Sequence, residues 1–293
     1  MLRLSQYTLV AGVVLIVLAL SCYIIVLTVG HSVRRYAVAA TAGGGGTTDT
    51  VVARPGGLAL YGTTSSQLAL LFLTLSLVAR AFATGHGPFA NQYEFSVAFG
   101  WGMIAAYVYF EWRYHVRTLA LLVLPIAAAL LLYAMTVGST AVPLVPALQN
   151  NLLLTVHVAL AIIAYGAFSV GCAAGALYLI QPEGGRRGLP SPALLDEISY
   201  RAVIIGFPLL TMVIILGAVW AEVAWGTYWS WDPKETASLV TWLVYGAYLH
   251  ARVARGWRGR RAAWLIMLGF AAVLFTFFGN LFFGGLHSYA GVG

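Results

Sequence analysis

Residues Ala202–Ala251 read AVIIGFPLLTMVIILGAVWAEVAWGTYWSWDPKETASLVTWLVYGAYLHA, two apolar runs joined by an aromatic connector. Each run has about the length needed to cross some 30 Å of hydrocarbon as a helix. The connector, residues 222–235, is Glu-Val-Ala-Trp-Gly-Thr-Tyr-Trp-Ser-Trp-Asp-Pro-Lys-Glu, and it holds three tryptophans and a tyrosine. Five of the chain's nine tryptophans, Trp220, Trp225, Trp229, Trp231 and Trp242, fall in this one region. An aromatic belt at a membrane interface would share them among all the helix ends. Their concentration points to a ligand instead. Trp225, Trp229 and Trp231 offer flat, electron-rich faces with one N–H donor each, which suits a planar apolar macrocycle better than a sugar, an ion or a nucleotide.

The rest of the chain repeats the pattern of the two runs. Of 293 residues 61% are hydrophobic and 9% charged, and the mean hydropathy is +0.86; an ordinary soluble domain carries about 25% charged residues. Apolar runs occur near 7–29, 66–83, 93–112, 118–137, 152–180, 202–221, 234–251 and 262–284. The fold class that follows is an all-α integral membrane protein, one polytopic domain over residues 1–293. It is a bundle of about eight transmembrane helices with the Trp-rich loop between helices six and seven. The first run has no small-residue cleavage site behind it, so it reads as a retained helix and not a signal peptide.

Cation placement sets the orientation, because short cytoplasmic loops are enriched in Lys and Arg. With the N-terminus outside, Arg34, Arg35, Arg54, Arg113, Arg117, Arg186, Arg187, Arg201, Arg252, Arg255, Arg258, Arg260 and Arg261 are all cytoplasmic. Only Arg3, Arg80 and Lys234 remain for the other side. Orientation thus accounts for the net charge of +7, and a nucleic-acid role, which needs a soluble basic face, is excluded. Residues 41–57 form a flexible Gly-rich cytoplasmic loop and residues 181–200 a second cytoplasmic linker. Cys22 and Cys172 lie inside helices and read as packing residues. Ala167, Gly171 and Gly175 make a small-residue stripe on helix five that lets another helix approach.

Topology sorts the histidines. His157 on the outer turns of helix five, His287 just past helix eight and His86 in the loop 85–91 share the outer side with the Trp-rich loop. His250 lies near the inner end of helix seven, while His31 and His115 sit among cytoplasmic arginines. Haem iron takes axial imidazoles while aromatic side chains cover the porphyrin, which makes His157 and His287 a candidate axial pair. Structural zinc wants four ligands at short spacing, and the sequence does not offer them. Asp232-Pro233-Lys234-Glu235 is a helix-start signature, with a capping residue, a proline at the first helical position and an acid at the third. Asp232 is therefore structural first and ligand-binding second. Glu222 has no such explanation.

At these residues the chain resembles the CcsA/ResC type of cytochrome c biogenesis protein, the haem-handling membrane proteins of System II. Trp225-Gly-Thr-Tyr-Trp229-Ser-Trp231-Asp232 is a full match to the family's W-G-x-x-W-x-W-D haem-binding stretch, the WWD motif. Leu153–Val158, Tyr248–Arg252 and Gly285–Tyr289 are similar to its first external, transmembrane and second external histidine regions. Gly85–Glu94 is similar to a further external segment with no assigned role. The resemblance covers most of residues 66–293.

That resemblance implies a protein of the bacterial cytoplasmic membrane that takes haem b, its bound substrate, from the inner side and presents it outside for thioether attachment to apocytochrome c. His157 and His287 map onto the external axial ligands and His250 onto the transmembrane histidine. Trp225, Trp229, Trp231 and Asp232 map onto the haem-binding loop, and the haem propionates would find partners among Arg80, Lys234 and Arg3. A CcsB/ResB-type subunit is implied as partner, together with a thioredoxin-like thiol reductase, and the complex as a cytochrome c haem lyase. His250, deep in helix seven, should face protein or a cavity, and with no second histidine at its depth its partner ligand would come from the other subunit. The competing class is a haem b electron-transfer subunit of a respiratory oxidoreductase, whose paired histidines usually lie inside the bilayer on two helices. Here His157 and His250 lie at opposite depths. A third class, a small-solute permease gated by the aromatic loop, would never carry haem.

Overall fold

The computed structural model describes residues 1–41, 56–141, 151–182, 185, 188–279 and 282–287, with the backbone alone for 29–41 and 151. Within them the chain is helical, as α1 Leu2–Thr41, α2 Gly57–Thr84, α3 Gln92–Tyr114, α4 Ala120–Thr136, α5 Asn151–Leu179, α6 Pro192–Trp225, α7 Pro233–Ala254 and α8 Arg260–Phe278. Each apolar run read from the sequence coincides with one of these helices over most of its length. Most of the Gly-rich 41–57 loop lies outside the described residues.

Six helices, α1, α2, α4, α5, α6 and α8, are long and apolar enough to cross a bilayer. The more polar α3 and α7 are capped at their starts: Asn91 Oδ1 accepts the Glu94 amide at 2.9 Å, and Asp232 closes a capping box on α7. Two boundaries differ from the hydropathy reading. Helix α6 starts at Pro192 behind a Ser191 cap, not at 202, because its polar first turns are held by contacts that hydropathy cannot register. Arg252 clamps Asp196 at 2.8 and 2.6 Å. Helix α8 stops at Phe278, short of 284, and residues 282–287 form turns.

Contacts at the two ends show that the helices alternate in direction. At one end Asp196, near the start of α6, binds Arg252 of α7's last turn and the Gly259 amide ahead of α8. At the other, Ser5 of α1 bonds Ser76 of α2 at 3.2 Å, and Asp232 meets His287. A short 3-10 turn, Arg117–Leu119, leads into α4. Helix α5 is central and packs on α3, α6 and α8. Its small-residue stripe does this work, since a Cβ on Gly171 would stand 3.2 Å from Ala202 Cβ. Cys22 and Cys172 are buried free thiols. One core fills α1 to α4 against the inner face of α5, a second fills α5 to α8, and a third, with Phe89, Leu154, Ile162 and Trp220, lies toward the Trp-rich end.

Candidate ligand-binding site at the Trp-rich end

The connector is held rigid by its own hydrogen bonds. Helix α6 ends on Gly226, whose φ of 74° is the left-handed cap that glycine adopts without strain. Asp232 Oδ1 accepts the Lys234 amide at 2.9 Å. Glu235 Oε2 accepts the Ser230 and Asp232 amides at 2.8 and 3.3 Å. Both acids thus work as helix-start residues, as the local sequence predicts.

Asp232 does more than cap. Its Oδ2 accepts the Leu286 amide at 2.6 Å and its Oδ1 accepts His287 Nδ1–H at 2.9 Å, so the chain beyond α8 is tied to the start of α7. A Cβ on Gly285 would collide with this carboxylate, so the close approach requires glycine there. Burial raises the Asp232 carboxyl, but the hydrogen bonds from His287 and the two amides outweigh it and hold the pKa at about 2. Burial keeps His287 below its ordinary 6.5 against the pull of that carboxylate. The imidazole is therefore neutral at pH 7, with its proton on Nδ1 and its lone pair on Nε2.

His157 is arranged the same way from the opposite wall. It lies early in α5, and its Nδ1–H donates to the Val213 carbonyl of α6 at 2.9 Å, which again leaves the lone pair on Nε2. The ring fits because α6 carries Gly217 opposite it, where a Cβ would stand 2.8 Å from Cε1. Metal-ligating histidines usually show this pattern, one ring N–H given to a carboxylate or backbone carbonyl and the other nitrogen turned to the metal.

Both imidazoles line one cleft with about 980 Å³ of empty space, part of it open to solvent. Its walls are largely apolar and aromatic, with Phe95, Phe99, Tyr165, Trp220, Trp229 and Phe277 among them, and Gln92, Lys234, Glu235, Ser238 and Thr276 are polar groups beside the histidines. Two donors in that wall, Gln92 Nε2 and Trp229 Nε1, are buried with no acceptor among the described residues. No three His, Cys, Asp or Glu side chains converge among the described residues. The donor set is thus a pair of imidazoles within an aromatic wall, which fits an iron porphyrin and not a bare divalent cation.

The residues singled out in the sequence take different places. Trp229 lines the cleft, and the Trp225 ring stands edge-on to the His287 ring at 4.9 Å. Trp231 is 69% exposed, and neither it nor Trp225 is in the cleft wall, where Trp229 and Trp220 stand. Trp231 has a positive φ of 57°, and its ring stands edge-on to that of Trp229 at 5.7 Å. Trp220, fully buried, takes the inner place beside Trp225 at 4.6 Å. His250 is away from the cleft and exposed on α7, not turned toward protein or a cavity of this chain. His86 donates to the Gly87 carbonyl at 2.8 Å and lines a separate groove.

Of the three cations that the sequence reading puts on the side of the Trp-rich loop, Arg80 is fully engaged. Buried with Glu94, it bonds that carboxylate at 2.8 Å and the Ser139 carbonyl at 2.7 Å, with its guanidinium over the Tyr93 ring. Arg3 is exposed at the start of α1. Only Lys234 reaches the cleft. Gln92 was not foreseen as a site residue; the segment 85–94, similar to a family region without a role, was its signal.

Comparison with known proteins agrees with this picture. The profile of the family described as cytochrome C assembly protein matches residues 89–287. A protein of Guillardia theta called cytochrome c biogenesis protein CcsA is 38% identical over 258 residues, which cover 78% of this chain and 84% of the relative. A Gloeobacter violaceus protein of the same name is 36% identical over 290 residues, 78% of this chain and 86% of that one. Among solved structures, the cytochrome c heme lyase CcmF superposes with a TM-score of 0.63 at 22% identity, covering 94% of this chain and 46% of that longer one. That likeness is one of fold. With the family profile over most of the chain and relatives above one-third identity, the protein belongs to the cytochrome c assembly family as a CcsA-type cytochrome c biogenesis protein.

Proposed function

We propose that the chain holds haem b in the cleft between α5, α6 and the α8 terminus, with His157 and His287 as axial ligands, and presents it for attachment to apocytochrome c. The observation that carries this reading is the matched pair of imidazoles. Each gives Nδ1–H to a fixed acceptor and keeps the Nε2 lone pair, and both line one aromatic cleft. Attachment adds two cysteine thiols of the client across the haem vinyl groups, and what it asks of the protein is orientation of the vinyl edges and control of the iron. No nucleophile, acid or base of this chain is needed. One axial histidine then gives way to the histidine of the client segment. His287 is suited to that exchange, because it sits on the short segment beyond α8, tied by Asp232, while His157 is built into a helix.

In the same reading the Trp-rich end faces outward across the bacterial cytoplasmic membrane, a CcsB/ResB-type subunit completes the haem lyase, and a thioredoxin-like reductase keeps the client thiols reduced. His250 serves a second, inner haem site shared with that subunit. Its exposure on α7 supports this, since a ring open to the outside of the chain is available to a partner. The test is assembly of a reporter cytochrome c in cells that express this chain with its CcsB/ResB-type partner. His157→Ala and His287→Ala should each abolish holocytochrome, with partial recovery on added imidazole, and His250→Ala should deplete haem at the outer site while its ligands are intact. Normal holocytochrome in the first two variants would overturn the proposal. The electron-transfer alternative would be favoured only by a quinol-linked optical change in the isolated chain.

A further inference from the structure

Lys234, Gln92 and Trp229 are polar groups of the cleft wall that neither the fold nor the axial pair uses. Gln92 opens α3 and is 9% exposed, and its Nε2 has no acceptor among the described residues. One turn further, Phe95 carries the Lys234 ammonium over its ring at 5.3 Å, so helix geometry brings the amide and the ammonium to one side of the cleft. Trp229 Nε1 is likewise buried and without an acceptor among the described residues. All three side chains line the cleft together with His157 and His287.

The ammonium has no carboxylate within 4 Å among the described residues, although two acids are close in sequence. Asp232 is engaged by the Lys234 and Leu286 amides and by His287. Glu235 is engaged by Ser230 and the Asp232 amide. A buried charge is normally paired and a buried N–H normally bonded. Two buried donors without acceptors among the described residues and a half-buried ammonium with no carboxylate within 4 Å, all lining one cleft, define the complement of a carboxylate. Chemistry of the donors also sets the class: an ammonium, an amide N–H and an indole N–H all donate, and a carboxylate only accepts.

We propose that Lys234, Gln92 and Trp229 form a carboxylate-binding subsite that fixes the haem propionate edge, and so sets which way round the porphyrin lies between the axial histidines. This rests on the haem reading of the cleft. It assigns Trp229 a hydrogen-bonding role besides its aromatic one, and it leaves the vinyl edge directed away from Lys234. A porphyrin held by its iron alone could rotate about the His157 to His287 axis; held also at a propionate, it presents the vinyl groups in one orientation.

The experiment is a titration of the purified full-length chain in detergent with ferric haem b and, separately, with its dimethyl ester, read from the Soret band. The wild type should bind haem about tenfold more tightly than the ester, the effect of one charge-assisted contact. Lys234→Met should remove most of that preference, Lys234→Arg should keep it, and Gln92→Leu should reduce it by a smaller factor. Equal binding of haem and ester by the wild type, with a spectrum that still depends on His157, would overturn the subsite and leave the haem reading in place. A Lys234→Met chain that keeps the full preference would also overturn it. Failure of the wild type to bind either compound would overturn both. The comparison of two ligands on one unmodified protein needs no variant to fold.

Discussion

Two polar clusters lie toward the Trp-rich end of the bundle, and they are built on opposite plans. Around Arg80 the two charged groups are paired: Arg80 meets Glu94 Oε1 at 2.8 Å and the Ser139 carbonyl at 2.7 Å, and the Ala90 amide meets Glu94 Oε2 at 2.8 Å, while the neighbouring Tyr93 hydroxyl has no partner among the described residues. Around Lys234, Gln92 Nε2 and Trp229 Nε1 have no acceptor among the described residues, and the ammonium has only an aromatic ring beneath it. The first cluster pairs its charges internally and fastens the ends of α2, α3 and α4. On the haem reading proposed above, the second is completed by an anionic, iron-bearing ligand. A closed cluster should therefore report on stability and an open one on binding, and the following changes separate the two.

The largest effect belongs to Arg80→Met. It leaves Glu94, 1% exposed, as a buried carboxylate without its cation, and losses of this kind cost about 3–5 kcal/mol. Thermal unfolding in detergent should show a markedly lower midpoint, while the protein that remains folded keeps the wild-type haem spectrum. A spectrum altered as strongly as the midpoint would mean that Arg80 also serves the ligand.

Asp232 stands between the two plans, a helix cap that also orients an imidazole. Asp232→Ala should weaken haem binding about 10–100-fold, the usual consequence of losing the partner that orients a metal-ligating histidine. Asp232→Asn should fall between, because one oxygen remains for the Lys234 amide or His287 while an NH2 group faces a second donor. An alanine variant that titrates like the wild type would place Asp232 with the closed, structural cluster alone.

Acid should dissolve the open cluster in two stages. His287 is held below 6.5 by burial, so the contribution of its neutral form is complete above that pH and is lost as pH falls through the depressed value. Asp232, held at about 2 against an ordinary 3.8, contributes fully above that ordinary value and loses its tether only as pH falls through about 2. Haem retention measured against pH should decline as pH falls below 6.5. A decline that begins only near pH 2 would show that the carboxylate alone governs release.

The smallest effect is expected for Trp231→Ala. The ring is 69% exposed and outside the cleft, so the haem affinity should change less than threefold, within about 0.5 kcal/mol for a surface change, and much less than for Trp229→Ala. A loss equal to that of Trp229→Ala would return Trp231 to the platform.

How much of this the sequence disclosed depends on the range of the interactions. The helices were legible, since each apolar run declares itself locally; the start of α6 was not, because Asp196 is held by Arg252 from another helix. His157 and His287 were brought to one side by topology alone, and the Asp232 to Glu235 cap by a local signature. What stayed hidden was set by distant partners. The exposure of Trp231 and the buried place of Trp220 beside Trp225 are set by tertiary packing that the local motif does not register. Arg80 and Lys234 look alike as lone cations in sequence, and only the packing of α2 against α3 supplies Glu94 to one of them.

The reading stands or falls most directly on the optical spectrum of the reduced, full-length protein with His157 and His287 replaced singly by alanine. Each variant should lose most of the low-spin haem signal of the wild type, and added imidazole should restore part of it by filling the vacated axial position. Spectra unchanged in both variants would contradict haem ligation by this pair, whatever the fate of the cleft around them.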